Sequence, residues 1–344
     1  MRSKSGYRVA LVGTDSLRGK EIKNVLNESR MPIDAMDFYD PEVEEEFSKL
    51  TQFRGEPKVI NHLEEDSLLP YQLAFLASTQ GVNRKCGKTA ASHDIWAVDL
   101  LETFNRDEGI PIVVAGVNDA ALLKTKPGLI ANPHPVTIIL SHVLQLIRAR
   151  EGLKEGVAFV LQPVSAFDNS GIEELANQCY DVLQGGTIRK KVFKSQIAFN
   201  LLPHAGSSGE PDFVPMEDQI VSEVKRVLND PRLPLSLAVI QAPVFFTYSI
   251  MMRFRLKDKV TLGDLEDLFK SSAYFEYGSP KSSRTVSSVS VTGKDRIHIG
   301  RIKMESSLPD SFWVWAVADN LTRGSALNAY EIAEKILSFS PRKK

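Results

Sequence analysis

The feature that most constrains this chain is the alternation, through its first third, of short β-rich apolar runs with stretches of helical spacing. Tyr7–Gly13 reads as a strand, Lys20–Ser29 as a helix, Pro32–Tyr39 as a second strand and the acidic stretch Pro41–Leu50 as a second helix. Gln72–Ala77, Ile95–Leu100 and Ile110–Val117 read as further short strands, with a helix over Val82–Ser92. Strands joined through helices pair in parallel by crossover, and a parallel sheet needs both faces covered. The expected first domain is therefore a Rossmann-like, doubly wound α/β sheet.

Beyond Ala131 the pattern changes. Pro135–Arg150 carries Val136, Ile139, Leu140, Val143 and Ile147 at helical spacing, and Ser170 with Glu173 has capping-box spacing at the head of a helix over Ser170–Leu183. These read as a helix pair. Leu235–Leu256 and Thr285–Met304 are long β-branched and aromatic runs, which predict a second α+β domain with a mostly antiparallel sheet. The last helix, Ser325–Ser338, reads as returning to the first domain. With 344 residues, the chain is long enough for two cores, expected over residues 1–131 with 321–344 and over 132–320.

Composition removes several classes of partner. Lys and Arg number 42 against 43 Asp and Glu, so there is no basic field to draw in a nucleic acid. Cys86 and Cys179 lie far apart outside any Cys/His cluster, which suggests neither a disulfide framework nor zinc, and fits a reducing cytoplasm. His134 and His142 are two helical turns apart rather than one, so no metal is expected. Pro127–Ile147 and Leu233–Met252 approach the length of a membrane span but contain prolines and polar residues, so no membrane association is expected either.

The turn Gly13-Thr14-Asp15-Ser16-Leu17-Arg18-Gly19 stands between strand and helix, where a dinucleotide pyrophosphate would meet helix N-terminal N–H groups. Ser16 adds a side chain and Asp15 a charge where such a loop favours glycine, so an ordinary strand-to-helix turn fits as well. Asp40, at the end of the second strand, is placed to accept from a ribose 2′-hydroxyl and to repel a 2′-phosphate. Glu42, Glu44, Glu45 and Glu46 would add to that repulsion, and read equally as a solvated helix face. Glu173 and Glu174 read as partners of a helix dipole. Pro135, in Ala-Asn-Pro-His-Pro-Val-Thr (131–137), occupies a helix start of the kind that activates a cysteine, and the nucleophile is missing.

VALVG (9–13), IPIVVAGVN (110–118), ANPHPVT (131–137), QPVSAFDNSGIEEL (162–175), IAFNLLPHAG (197–206), QAPVFFTYS (241–249), IGRI (299–302) and WVWAVADNLTRGSALNAYEIAE (313–334) together resemble aspartate-semialdehyde dehydrogenase, nearly end to end and in order. That family reduces an aspartyl phosphate with a nicotinamide cofactor through a cysteine thioester. The resemblance sets Pro135 at its nucleophile, Tyr248 at its general-base histidine, and Gln241 at its substrate-binding arginine. Gln219 falls at its substrate-binding lysine, and Asn105, with Arg106 one place away, at its phosphate-binding arginine. Gln162 keeps the family's glutamine. The resemblance further implies cofactor contacts from Gly13, Thr14, Asp15, Ser16, Leu17, Gly19, Asp40, Ser78, Ser165, Asn320 and Gly324.

Thioester chemistry needs a nucleophile, a base and a charged clamp together. This chain replaces all of them, a pattern similar to the family's Usg-like paralogues, which keep the fold and lack the catalytic cysteine. The expectation is a homodimeric binding or regulatory protein that holds NAD in preference to NADP, or neither, and that pairs with itself, a paralogue or another protein. The family's dimers use the second domain's sheet, which makes Leu235–Met252 the candidate interface. The alternative is an NAD(P)-dependent oxidoreductase transferring hydride directly to an aldehyde or ketone, with Tyr248 as proton donor oriented by Gln162.

Overall fold

The computed structural model describes residues 6–43, 49–123, 125–203, 213–278 and 285–339. Its contacts divide the chain into two compact units, Met1–His134 with Ser325–Lys344, and Pro135–Gly324.

The first unit begins with β1 (Tyr7–Val12), α1 (Leu17–Glu28) and β2 (Ile33–Asp40). The hairpin β3 (Lys49–Phe53) and β4 (Glu56–His62) follows, then β5 (Leu73–Leu76), α2 (Gln80–Ser92), β6 (Trp96–Asp99), α3 (Ala120–Leu123) and β7 (Leu129–Ala131). The strands form one sheet in the order β3-β4-β2-β1-β5-β6-β7, parallel except for the β3–β4 pair. Val9 and Leu11 face one core with Ile22 and Leu26 of α1, whereas Ala10 and Val12 face another with Cys86 and Ala90 of α2. A sheet buried on both faces follows from this alternation.

In the second unit, α4 (Pro135–Glu151) leads into β8 (Leu153–Gln162) and α5 (Asp168–Gln184). Then come α6 (Val214–Val227), β9 (Leu235–Gln241), β10 (Tyr248–Leu256), α7 (Leu262–Lys270), β11 (Phe275–Tyr277), α8 (Ser288–Val291), β12 (Ile297–Met304) and β13 (Ser311–Ala318). The sheet order is β11-β12-β13-β10-β8-β9, with antiparallel pairs in the middle and parallel pairs at both ends. Helices α4, α6 and α7 supply the core on one face of this sheet. The chain then returns to the first unit as α9 (Leu327–Phe339).

Several expectations change. Lys49 and Leu50 pair in β3 rather than ending a helix, and Glu44, Glu45 and Glu46 lie outside the described residues. The hairpin closes on Arg54-Gly55, both at positive φ, the conformation that a two-residue turn between twisted strands requires. Ile110–Val117 is a buried loop, tied to the sheet through a bridge between Ile112 and Ala131. Its backbone is satisfied instead by amides: Asn118 Oδ1 accepts from Val114 N at 2.8 Å, and Asn328 Oδ1 from Ala115 N at 2.9 Å. Helices α4 and α5 are separated by β8, and α4 packs against α6. Thr285–Met304 is strand only from Ile297. Leu235–Met252 is split between edge strand β9 and β10, with the residues between them forming neither helix nor strand.

The cap of α5 also differs. It starts at Asp168 with Phe167 as its N-cap, and Ser170 Oγ donates to the Phe167 carbonyl at 2.7 Å, so no capping box forms. Glu174 is not a dipole partner at the surface. It is buried, and its carboxylate accepts from Lys191 N at 2.8 Å, Val192 N at 2.5 Å and Phe193 N at 3.0 Å.

Candidate functional site

The glycine turn is built by close packing. Gly13 has φ +85°, and a Cβ on it would overlap the Ala77–Ser78 backbone, while a Cβ on Gly19 would overlap the Gly13 carbonyl oxygen. Both positions exclude any side chain for reasons internal to the chain. Ser16 is the N-cap of α1: its Oγ accepts from Gly19 N at 2.9 Å and donates to the Ala77 carbonyl at 2.7 Å. One helix N-terminal donor is thereby occupied. The Asp15 carboxylate is paired with Lys49, which offsets the repulsion a bound phosphate would meet. Thr14 and Gly13 are buried, Leu17 opens α1, and Ser78 N donates to Asn83 Oδ1 at 3.1 Å.

Asp40 ends β2 in a buried position, where Oδ1 accepts from Glu42 N at 3.2 Å. Pro41, the next residue, lines a cavity of about 510 Å³ walled by Leu63, Leu68, Val82 and Cys86, with Glu64, Glu65, Lys85, Lys88 and Thr89 around it. This volume lies within the roughly 300–1,000 Å³ common for small-molecule sites. Burial pushes the Cys86 thiol up to about 11, so it serves as apolar wall rather than nucleophile. Cys179 in α5 is half-buried against a small core and is a free thiol. Apart from Cys86, the sequence does not single out the cavity residues. The signal was the apolar side chains of α2 facing the end of β2, visible only once Leu63–Leu68 is known to cover them.

In the second unit, two of the replaced positions, Tyr248 and Gln241, meet the retained Gln162 in one buried network. The Tyr248 hydroxyl donates to Gln162 Oε1 at 3.1 Å, Gln162 Nε2 to Gln241 Oε1 at 3.0 Å, and Gln241 Nε2 to the Gln162 carbonyl at 3.0 Å. Gln241 also reaches the Ala242 carbonyl. Exposure is 2% at Gln162, 0% at Gln241 and 2% at Tyr248, and the Tyr248 ring belongs to the main core. Gln219 is engaged elsewhere, donating to Glu223 Oε1 at 2.8 Å, while Thr137 donates to Glu223 Oε2 at 2.6 Å.

Pro135 is the first residue of α4, buried, and so close to Gly324 that a Cβ on the glycine would come within 2.9 Å of Pro135 Cβ. Asn320 and Ser165 satisfy each other: Asn320 Nδ2 donates to Ser165 Oγ at 3.1 Å, and Asn320 Oδ1 also accepts from Thr247 N at 2.9 Å. Thr247 itself has φ +74°, a strained setting for a β-branched residue. In the first unit, Asn105 is buried and Arg106 exposed, away from the cavity lining.

For the adenosine end of a nicotinamide dinucleotide the first unit offers a strand-turn-helix after β1, a buried carboxylate at the end of β2 and, from the next residue on, a cavity with apolar walls. In the second unit, Asn320 and Ser165, which the resemblance sets at the nicotinamide, are buried and bonded to each other and to Thr247 N. Among the described residues, no group of three or more His, Cys, Asp or Glu could hold a metal ion, and no helix is long and apolar enough to cross a membrane.

Comparison with known proteins agrees with this architecture. Residues 146–323 match the semialdehyde dehydrogenase dimerisation domain. The aspartate-semialdehyde dehydrogenase of Aquifex aeolicus is 28% identical over 337 residues, covering 96% of this chain and 98% of its own. The crystal structure of aspartate semialdehyde dehydrogenase II from Vibrio cholerae, complexed with ASA, superposes with a TM-score of 0.89 at 26% identity, covering 97% of this chain and 98% of that one. The Candida albicans aspartate semialdehyde dehydrogenase solved with NADP shares the fold, with a TM-score of 0.73 at 15% identity and coverage of 97% and 99%. With its two-unit architecture and a dimerisation-domain match across just over half its length, the chain belongs to the semialdehyde dehydrogenase family.

Proposed function

We propose that this protein is a non-catalytic member of its family, comparable to the Usg-like paralogues without the catalytic cysteine, acting as a homodimeric binding or regulatory subunit. The observation that carries this reading is the closed Gln162–Gln241–Tyr248 network, taken together with the replacement at Pro135. A thioester cannot form on proline, and Gln241 supplies no charge to clamp a carboxylate or phosphate. The side chains at these positions bond to one another rather than pointing donors at a substrate. Assay of the purified protein with aspartate semialdehyde, phosphate and NAD or NADP is expected to show no reduction of cofactor. Turnover comparable to that of an active relative would contradict the reading.

A nicotinamide dinucleotide would be held through its adenosine end by Gly13–Gly19, Asp40 and the neighbouring cavity; such a cofactor supplies hydride chemistry when bound to a competent site. Asp40 and Glu42 favour a ribose hydroxyl over a 2′-phosphate, so NAD is preferred to NADP. Fluorescence titration should give saturable NADH binding and weaker NADPH binding.

The homodimer would form through the face of the second sheet opposite α4, α6 and α7. Phe159 is 44% exposed there, and Met251, Arg301, Lys303, Trp313 and Trp315 line a depression of about 220 Å³. Light scattering should give a dimer at micromolar concentration, and Phe159→Glu a monomer. Direct hydride transfer with Tyr248 as proton donor gains from the 3.1 Å bond to Gln162, but that hydroxyl is buried and its proton is committed to the glutamine. Loss of any detected reductase activity in Tyr248→Phe would favour this second reading.

A further inference from the structure

We propose that the depression on the open face of the second sheet binds a small oxyanion of two or more charges, a polycarboxylate or an oligophosphate, and that its occupancy strengthens the pairing of two copies through that face. The second half rests on the homodimer reading above and adds to it the ligand that regulates the dimer.

Strand register builds the site. β12 and β13 pair with Arg301 opposite Trp315 and Lys303 opposite Trp313, and β10 sets Met251 beside Trp315. Ile302, between the two cations, turns into the core, so Arg301 and Lys303 are exposed together on the open face. The indoles serve as walls and not as donors. Trp313 Nε1 donates to Glu305 Oε1 at 2.8 Å and Trp315 Nε1 to the Val286 carbonyl at 3.1 Å, and a Cβ on Gly300 would come within 2.9 Å of the Trp315 ring. The lining therefore offers cationic N–H groups and apolar surface, which suits a ligand that carries only acceptors. Its volume of about 220 Å³ lies below the roughly 300 Å³ at which sites for drug-sized molecules begin, so the ligand is small.

The two cations lack a counter-charge of their own. Neither makes an ion pair or a side-chain hydrogen bond among the described residues. Glu305, the carboxylate beside them, is held by Arg253 Nε and Nη2, both at 3.0 Å, and Lys303 acts on it only through space. Glu155 is taken by Arg253 Nη1 at 3.2 Å. An isologous interface presents the same patch from both copies, so the cations of one face are doubled wherever the axis runs. Taking unpartnered cations out of water opposes association. An oxyanion between Arg301 and Lys303 supplies the missing charge, with the guanidinium fork on two of its oxygens.

Tryptophan emission and sedimentation equilibrium of the full chain, in chloride buffer at fixed ionic strength with citrate or pyrophosphate as probe, test both halves. The third tryptophan, Trp96, is buried in the first unit, so a change in emission reports on Trp313 and Trp315. The expected result is a saturable change with at least one probe, the tighter of the two assigning the carboxylate or the phosphate class, and a dimer dissociation constant at least tenfold lower at saturation. In the double variant Arg301→Gln, Lys303→Gln, shown folded by its thermal midpoint, the emission change should vanish while the dimer in chloride is at least as tight as that of the parent protein. No saturable change with either probe, or a dimer whose dissociation constant does not move at saturation, would overturn this inference and leave the homodimer reading standing. Loss of the dimer in the double variant would do the same, by making the two cations contacts to the second copy's own acceptors. A monomer under every condition would overturn the homodimer reading and the coupling with it.

Discussion

At Gln241 the side chain is fully buried, and it bonds to the Gln162 amide and to backbone carbonyls. Restoring the arginine that the resemblance implies would bury a guanidinium among groups that offer no carboxylate. Gln241→Arg is therefore expected to destabilise the protein by about 3 kcal/mol or more, read as a lower midpoint of chemical denaturation. An unchanged midpoint would mean that the site has room and polarity for a charge, against the closed network. Tyr248 and Gln241 drew attention only through the family resemblance, since a tyrosine and a glutamine in β-rich runs are otherwise unremarkable strand residues. Glu174 shows the opposite problem. Two adjacent glutamates on one helix point about 100° apart, and nothing in the local sequence says which of them turns inward to collect three backbone donors.

Residues 187–198 form neither helix nor strand, yet they are held along α5 by two side chains. Glu174 binds Lys191, Val192 and Phe193 through their N–H groups, while Gln178 accepts from Ile197 N at 2.7 Å and donates to the Arg189 carbonyl at 2.8 Å. Charge-assisted bonds to a buried carboxylate are the stronger kind. In Glu174→Gln, an N–H₂ must face backbone donors, so this strap should loosen first. Trypsin is expected to cut the variant after Arg189, Lys190 or Lys191 several times faster than the parent protein, and equal rates would show that Phe193 packing alone holds the segment. Elements were legible from the sequence where helix and strand periods were long, as in α1, α2, α4 and β10. The apolar run at Ile110–Val117 misled because a buried loop and a buried strand share the same composition; its backbone partners, Asn118 and Asn328, are the distinction, and Asn328 comes from the far end of the chain. Strand β8 carried a readable period of two at Ala158, Val160 and Gln162, all buried, which the helical reading on either side obscured.

Across the whole molecule, each unit keeps a hydrophobic core of its own, which the proposed loss of thioester chemistry leaves intact. The second unit carries a pH signature of its own. His142 in α4 is buried, stacked on Tyr274 with ring centroids 4.1 Å apart, and burial, with the nearby Arg323 cation, pushes its pKa down to about 3. A histidine that is neutral when folded but protonates when unfolded makes the unfolded state bind more protons below its ordinary value near 6.5. Stability should then fall as pH drops from about 6.5, by up to about 1.4 kcal/mol per pH unit from this group, and His142→Phe should flatten that limb; an identical slope in the variant would assign the acid sensitivity elsewhere. The most direct test of the central claim is the single variant Pro135→Cys, assayed with aspartate semialdehyde, phosphate and both cofactors. A folded variant with a free thiol and no turnover is predicted, because Gln241 and Tyr248 still hold the places of clamp and base. Robust, phosphate-dependent reduction of NAD or NADP by Pro135→Cys would contradict the account, showing that the remaining site was competent and lacked only its nucleophile.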